Sequence, residues 1–61
     1  MTELQILFKL EEAYGKVMTL EQAWEALGRV VFTVETLTQE GHSFNEEELI
    51  LEIGDFLLNE N

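Results

Sequence analysis

The sequence contains no cysteine and no proline among its 61 residues. The lack of cysteine excludes a disulfide and a thiolate metal site, so packing or association must stabilise the fold. A chain of this length buries only about 60% of the surface that its unfolded state exposes, so its core alone provides little stability. Apolar residues make up 46% of the chain, too many for a disordered segment. We therefore predict one folded domain, residues 1–61, that gains from pairing with another chain.

Basic residues are also scarce. Lys9, Lys16 and Arg29 stand against thirteen acidic residues, for a net charge of −10. Residues 1–29 hold five of the acids and all three bases, a net −2, whereas residues 30–61 hold eight acids and no base, a net −8. The negative charge of residues 30–61 repels phosphate backbones, so we expect no direct contact with nucleic acid. The same charge attracts a basic protein surface.

Long apolar runs are absent as well. Uncharged stretches such as residues 30–34 are far shorter than the roughly 20 apolar residues that a membrane span needs. The N-terminus lacks the basic region and apolar run of a secretory signal, with Glu3 where a positive charge would be expected. We therefore expect a cytoplasmic protein with no membrane partner.

Residues 20–39 are the stretch around which the chain is organised. Apolar residues recur there at alternating spacings of four and three, which is typical of one helix face and not of a strand. The predicted inward face comprises Leu20, Ala23, Trp24, Ala26, Leu27, Val30, Val31, Val34 and Leu37. The β-branched and aromatic block at residues 30–34 favours a strand instead. The alternative is therefore a helix that ends near Leu27 and a strand over residues 29–38.

Shorter amphipathic segments flank this stretch, and three capping-box spacings mark helix starts: Thr2 with Gln5, Thr19 with Gln22, and Ser43 with Glu46. Glycines mark two helix ends, at Gly15 and Gly41. These signals predict helices over residues 3–14, 20–39 and 44–58. The predicted core faces of the outer helices are Ile6, Leu7, Leu10, Ala13 and Tyr14 in the first, and Leu49, Ile50, Ile53, Phe56 and Leu57 in the last, with Gly54 off that face.

The predicted fold class is thus all-α, a small three-helix domain in short-long-short order. That order is similar to the order of helices in histone-fold proteins, which bind DNA through basic surfaces, whereas this chain is acidic. The likeness is one of architecture only.

Several apolar residues fall outside the predicted core faces. Phe32 lies on the polar side of the central helix, where it is a lone exposed ring, part of a strand, or an interface residue. Leu51 and Leu58, seven residues apart, form a stripe opposite the core face of the last helix, and Phe8 with Leu4 forms a second edge on the first. Exposed patches of this kind mark interaction sites, so Phe8, Phe32, Leu51 and Leu58 predict an apolar interface. We expect it to join a homodimer; the alternative is a monomer that binds a different partner there.

Carboxylates align along the last helix. Glu48, Glu52 and Asp55, at positions i, i+4 and i+7, form one acidic ridge, and Glu47 lies beside it. The ridge is either an ordinary solvated face or a binding site for lysine and arginine side chains of a partner. A solvated face is the more common of the two, but no basic residue of that helix offsets the mutual repulsion of these carboxylates, which points toward a binding site.

No pattern in the sequence predicts catalysis. His42 is the only histidine and lacks the Glu-x-x-His spacing of a di-iron site, so we place it at the turn after the central helix. Exposed ridge carboxylates lack the burial that shifts a pKa toward acid–base work. A nucleophilic triad lacks members, since the one serine is a predicted cap. We expect no enzyme, no catalytic or metal-binding residue and no cofactor.

Two functions remain from the sequence. The first is an acidic protein-protein interaction module that binds and inhibits a basic-surfaced partner such as a nucleic-acid-binding protein. In composition the chain resembles small acidic inhibitors, including phage anti-defence and DNA-mimic proteins. The alternative is a dimeric helical scaffold in which apolar stripes make the contact and the charge keeps the protein soluble.

Overall fold

The computed structural model describes residues 1–59, which form three α-helices. Helix α1 spans Glu3–Tyr14, a 3₁₀ turn follows at Gly15–Val17, α2 spans Leu20–Glu40 and α3 spans Glu46–Asn59. None of the described residues lies in a strand. Each helix packs against the other two. The predicted all-α fold in short-long-short order is therefore confirmed.

Local hydrogen bonds explain where α1 and α2 begin. The Thr2 hydroxyl oxygen accepts the backbone N–H of Gln5 at 3.2 Å, while Gln5 Oε1 accepts the backbone N–H of Thr2 at 2.8 Å. Thr19 and Gln22 make the same pair of bonds, at 3.1 and 2.9 Å. These bonds satisfy N–H groups that have no partner inside the helix. Two of the three predicted capping boxes are therefore confirmed.

The end of α2 is also set locally. Gly41 has a φ of 77°, a left-handed backbone conformation that glycine adopts more readily than residues with a side chain. Its backbone N–H donates to the Thr38 carbonyl at 3.2 Å, and that of His42 donates to the Leu37 carbonyl at 2.9 Å. These two bonds satisfy carbonyls of the last turn, as in a Schellman motif.

Helix α2 is continuous, so the strand alternative for residues 29–38 is wrong. The β-branched and aromatic residues 30–34 favour a strand locally, but packing outweighs this preference, because Ala26, Leu27 and Val30 are buried at helical spacing. Two threonine hydroxyls bond back into the helix, Thr33 to the Arg29 carbonyl at 2.7 Å and Thr36 to the Phe32 carbonyl at 3.0 Å.

The predicted start of α3 is wrong by two residues. Asn45, not Ser43, caps the helix: its Oδ1 accepts the backbone N–H of Glu48 at 3.1 Å. The Asn45 carbonyl accepts the backbone N–H of Leu49 at 3.0 Å, as the first bond of the helix. Asn is as good a cap as Ser, so the identity of the residue did not distinguish the two positions.

The core lies where the three helices meet, and it consists of Ile6, Leu10, Ala26, Leu27, Val30, Ile50 and Leu57. Six of these are large aliphatic residues, and Ala26 is completely buried among them. The prediction for α2 was wrong at its first turns, because Leu20 and Trp24 are 74% and 55% exposed. Ala13 of α1 is exposed too.

Two predictions on the inner face of α3 are also wrong. Gly54 is buried, because the ring of Tyr14 from α1 occupies the space beside it. Phe56 is exposed, and its ring lies 5.5 Å from the guanidinium carbon of Arg29 in α2. A cation over an aromatic face is attracted to it, so Phe56 contacts α2 from outside the core.

Candidate interaction surfaces

The acidic ridge lies on the outer side of α3. Glu48, Glu52 and Asp55 are all exposed there. Within residues 1–59 no ion pair involves Glu48 or Glu52. Glu47 differs, because it lies on the side of α3 that faces α1, with its Oε1 3.6 Å from Lys9 Nζ. Two carboxylates of the predicted set are thus open to solvent and two are engaged by α1.

Asp55 is engaged through Tyr14. The Tyr14 hydroxyl lies 2.9 Å from Asp55 Oδ1 and 2.7 Å from the Leu51 carbonyl oxygen, and it donates its proton to these acceptors. Burial of the phenol raises the pKa of Tyr14 to about 12, and the hydrogen bond to Asp55 and the charge of Asp55 act in the same direction. Asp55 therefore holds α1 and α3 together as well as contributing charge to the ridge.

The four apolar residues predicted to form an interface do not form one surface. Phe8, Phe32 and Leu51 are exposed and Leu58 is half-buried. Leu51 lies beside a crevice between α1 and α3, next to Lys9 and Glu47. Phe8 and Phe32 instead lie along the side formed by α1 and α2. Leu51 is therefore not opposite the core face, as the sequence suggested, but at its border with α1.

An apolar surface that the sequence reasoning missed runs between α1 and α2. It consists of two depressions, one that extends along α2 as far as Ala23 and one that extends from Trp24 onward. The first is lined mainly by Leu4, Leu7, Phe8, Leu20 and Ala23, and the second by Trp24, Leu27, Gly28, Val31 and Phe32. We call this surface the α1–α2 groove.

The exposed residues of this groove lie directly beside α1. Leu20 and Ala23 line one depression together with Leu7 and Glu11, and Val31 and Glu35 line the other together with Glu3. Helix α1 therefore runs alongside α2 from about Leu20 to Glu35. Leu20 and Trp24 are exposed although α1 lies next to them.

The chain matches no protein-family model, no curated protein and no solved structure. What the protein recognises must therefore be inferred from the charge, exposure and contacts of its own residues.

No helix among residues 1–59 combines the length and the hydropathy required to cross a membrane. No group of three or more metal-ligating side chains occurs among these residues either. His42 lies in the turn after α2, with its Nε2 3.7 Å from Glu40 Oε1.

Proposed function

We propose that this protein is a cytoplasmic, non-enzymatic interaction module that binds and inhibits a partner with a basic surface, such as a nucleic-acid-binding protein. The observation that supports this most is the outer side of α3, where Glu48 and Glu52 are exposed and make no ion pair within residues 1–59. A lysine or arginine side chain of a partner can bind such carboxylates without displacing a base that is already paired with them.

Charge density supports inhibition by resemblance to nucleic acid. Residues 1–59 contain twelve acids and three bases, a net −9, and the longest dimension of the fold is 35 Å. That is roughly one net negative charge per 4 Å, against about one per 3.4 Å along a single DNA strand and one per 1.7 Å along the duplex. Averaged along this dimension, the spacing of net negative charge is thus close to that of phosphates along one DNA strand.

A capture experiment tests the proposal. The tagged protein is incubated with native lysate at low and high salt, and the retained proteins are identified. A partner bound through the ridge is retained at low salt and released at high salt, because salt screens exposed charges beyond about 10 Å at 0.1 M. The double substitution Glu48→Lys with Glu52→Lys abolishes its retention. Asp55 is left unchanged in this variant, because its loss would also disturb Tyr14.

The matched control is Glu12→Lys with Glu40→Lys, which changes the net charge equally at exposed positions outside α3. It should retain the partner at least several-fold better than the ridge variant does. Equal loss in both variants would show that total charge is recognised and not the ridge. Retention that is the same at both salt concentrations would contradict the proposal.

A second candidate function is a homodimeric scaffold joined by its apolar surfaces. The exposure of Phe8 and Phe32, at 60% and 71%, favours it. A dimer would bury about 800 Å² on each chain in an interface of standard size. Sedimentation equilibrium decides between the two: a dimer that persists at high salt and dissociates in Phe32→Ala supports the scaffold, and a monomer contradicts it.

A further inference from the structure

We propose that the α1–α2 groove is a docking site for a cationic amphipathic helix of a partner protein. The groove lies on a different side of the fold from the acidic ridge of α3, so this inference does not depend on the function proposed for the ridge. It commits to one occupant, a helix of three to four turns with one apolar face and basic residues along both edges of that face.

The groove exposes several large apolar side chains that no other part of the fold covers. Leu4, Phe8, Leu20, Trp24 and Phe32 are 61%, 60%, 74%, 55% and 71% exposed, and all five line it. An aromatic side chain has about 150–250 Å² to bury, so the three rings alone expose on the order of 300 Å². With the two leucines the patch reaches the size at which exposed apolar surface marks a binding site.

The shape of the groove fits a helix. Trp24, Gly28 and Phe32 follow one another at intervals of four residues, so they lie on one line along α2. Gly28 has no side chain, and a Cβ there would meet nothing within 4 Å. The gap between the two rings accepts a large apolar side chain of the occupant, as knobs enter holes between packed helices. From Leu20 to Phe32 the line is about 18 Å long, or between three and four turns.

The charge around the groove specifies the sign of the occupant. Glu11 lines the first depression, and Glu3 and Glu35 line the second. No basic residue lines either depression. Basic flanks on the occupant would therefore meet carboxylates on both α1 and α2.

Two of the three bases of the chain are held away from the groove. Lys9 Nζ lies 3.6 Å from Glu47 Oε1 on the α3 side of α1. Arg29 lies over the ring of Phe56 and has its Nη2 3.4 Å from Glu25 Oε1, on the α3 side of α2. Lys16 lies in the 3₁₀ turn beyond the end of α1, next to Gly15, which lines the first depression. Glu3, Glu11 and Glu35 outnumber this one base, so the net charge around the groove is negative.

The same charges disfavour a second copy of this chain as the occupant. Two copies joined through their grooves would bring Glu3, Glu11 and Glu35 of one close to the carboxylates of the other. Each copy also contributes a net charge of −10. Like charges that face one another across an interface suppress the pairing, whereas a cationic helix gains from the same carboxylates.

The test uses Trp24, the one tryptophan of the chain, as an intrinsic reporter inside the groove. The probe is a synthetic peptide of about 16 residues without tryptophan, with leucines at helical spacing and lysines on both flanks. We expect saturable binding that shifts the Trp24 emission to shorter wavelength and protects it from a soluble quencher. A peptide of the same composition with the leucine spacing scrambled should bind at least tenfold more weakly, and one with glutamates on the flanks should not bind.

Variants locate the peptide on the protein. Leu20→Ala and Phe32→Ala should each raise the Kd about tenfold or more, because each removes a large apolar side chain that the bound helix would cover. Gly28→Lys should also prevent binding, because it fills the gap and adds a like charge. This variant should keep its helical circular dichroism, since lysine favours a helix more than glycine does. The controls Leu51→Ala and Glu48→Gln with Glu52→Gln should change the Kd less than twofold.

Three results would overturn the proposal. Equal binding of the ordered and scrambled peptides would show that charge alone attracts them. Loss of binding in the ridge control would place the peptide on α3. A dimer in sedimentation whose Trp24 is already shielded from the quencher, and which the peptide does not dissociate, would show that a second copy fills the groove.

Discussion

The Tyr14 hydroxyl in α1 donates a hydrogen bond to the Asp55 carboxylate in α3, 2.9 Å away. The Tyr14 ring lies against Gly54 of α3, which has no side chain. A Cβ added at Gly54 would lie only 2.7 Å from Cζ of Tyr14 and 2.8 Å from its hydroxyl oxygen. Real Cβ atoms do not approach so closely, so the glycine is what lets α1 and α3 form this contact.

Gly54→Ala should destabilise the fold by about 1 kcal/mol or more. Alanine favours a helix by roughly 0.5–1 kcal/mol over glycine, but here the Tyr14 ring must move and lose hydrogen bonds with a net value of about 0.5–1.5 kcal/mol each as well as its packing. Urea unfolding measures the change.

Two comparisons make this prediction specific. Gly28→Ala, in α2 with open space around it, should stabilise the fold by up to about 1 kcal/mol. In a Tyr14→Ala background Gly54→Ala should also stabilise, because the obstruction is gone. A destabilising effect of Gly54→Ala that persists in that background would contradict the assigned role of Tyr14.

The stability of the fold should decrease as the pH rises from 10 to 12. In the unfolded chain Tyr14 has its ordinary pKa of 10.0, whereas burial raises the folded value to about 12. Between these values the unfolded chain has lost the phenol proton and the folded chain retains it, so further rise in pH favours unfolding. Below pH 10 both states hold the proton and the contribution is constant.

Tyr14 is the one tyrosine of the chain, so the near-ultraviolet absorbance of tyrosinate follows it directly. Tyr14→Phe is the control for the unfolding measurements, because it removes the titrating group while lysines continue to titrate. It should flatten the part of the pH dependence due to Tyr14. A tyrosinate midpoint near pH 10 in the folded protein would be incompatible with the buried hydroxyl.

Asn45→Ala should cost about 1 kcal/mol of stability, since substitution of a good N-cap by alanine costs roughly 0.5–2 kcal/mol. The bond that is lost joins Asn45 Oδ1 to the backbone N–H of Glu48. Ser43→Ala is the matched control and should change the stability by less than about 0.5 kcal/mol, as exposed substitutions usually do. If Ser43→Ala proved the more costly change, the helix would begin where the sequence first suggested.

Leu10→Ala should destabilise the fold by about 2–5 kcal/mol, because it removes a fully buried side chain and leaves a cavity. Leu4→Ala removes the same atoms six residues earlier in the same helix, at a position that is exposed in the α1–α2 groove. It should cost less than about 1 kcal/mol. Chemical unfolding of the two variants, followed by circular dichroism, measures the difference.

The sequence by itself determined the features that depend on near neighbours in the chain. The boxes at Thr2 and Thr19 join residues three apart, and Gly41 needs only its own backbone freedom to end α2. Periodicity over residues 20–39 was sufficient to predict a helix against the strand preference of the valines. The charge asymmetry that motivates the proposed function is likewise a property of composition.

Only the tertiary structure decided which apolar residues are covered. Leu20 and Trp24 lie near the apolar stripe of α2, but both side chains stay exposed in the α1–α2 groove beside α1. Phe56, predicted to be buried, is exposed and lies under the guanidinium group of Arg29. Gly54, predicted to lie off the core face, is buried by the Tyr14 ring. A helical wheel gives the direction of a side chain from its own axis, whereas burial depends on the length and position of the neighbouring helices.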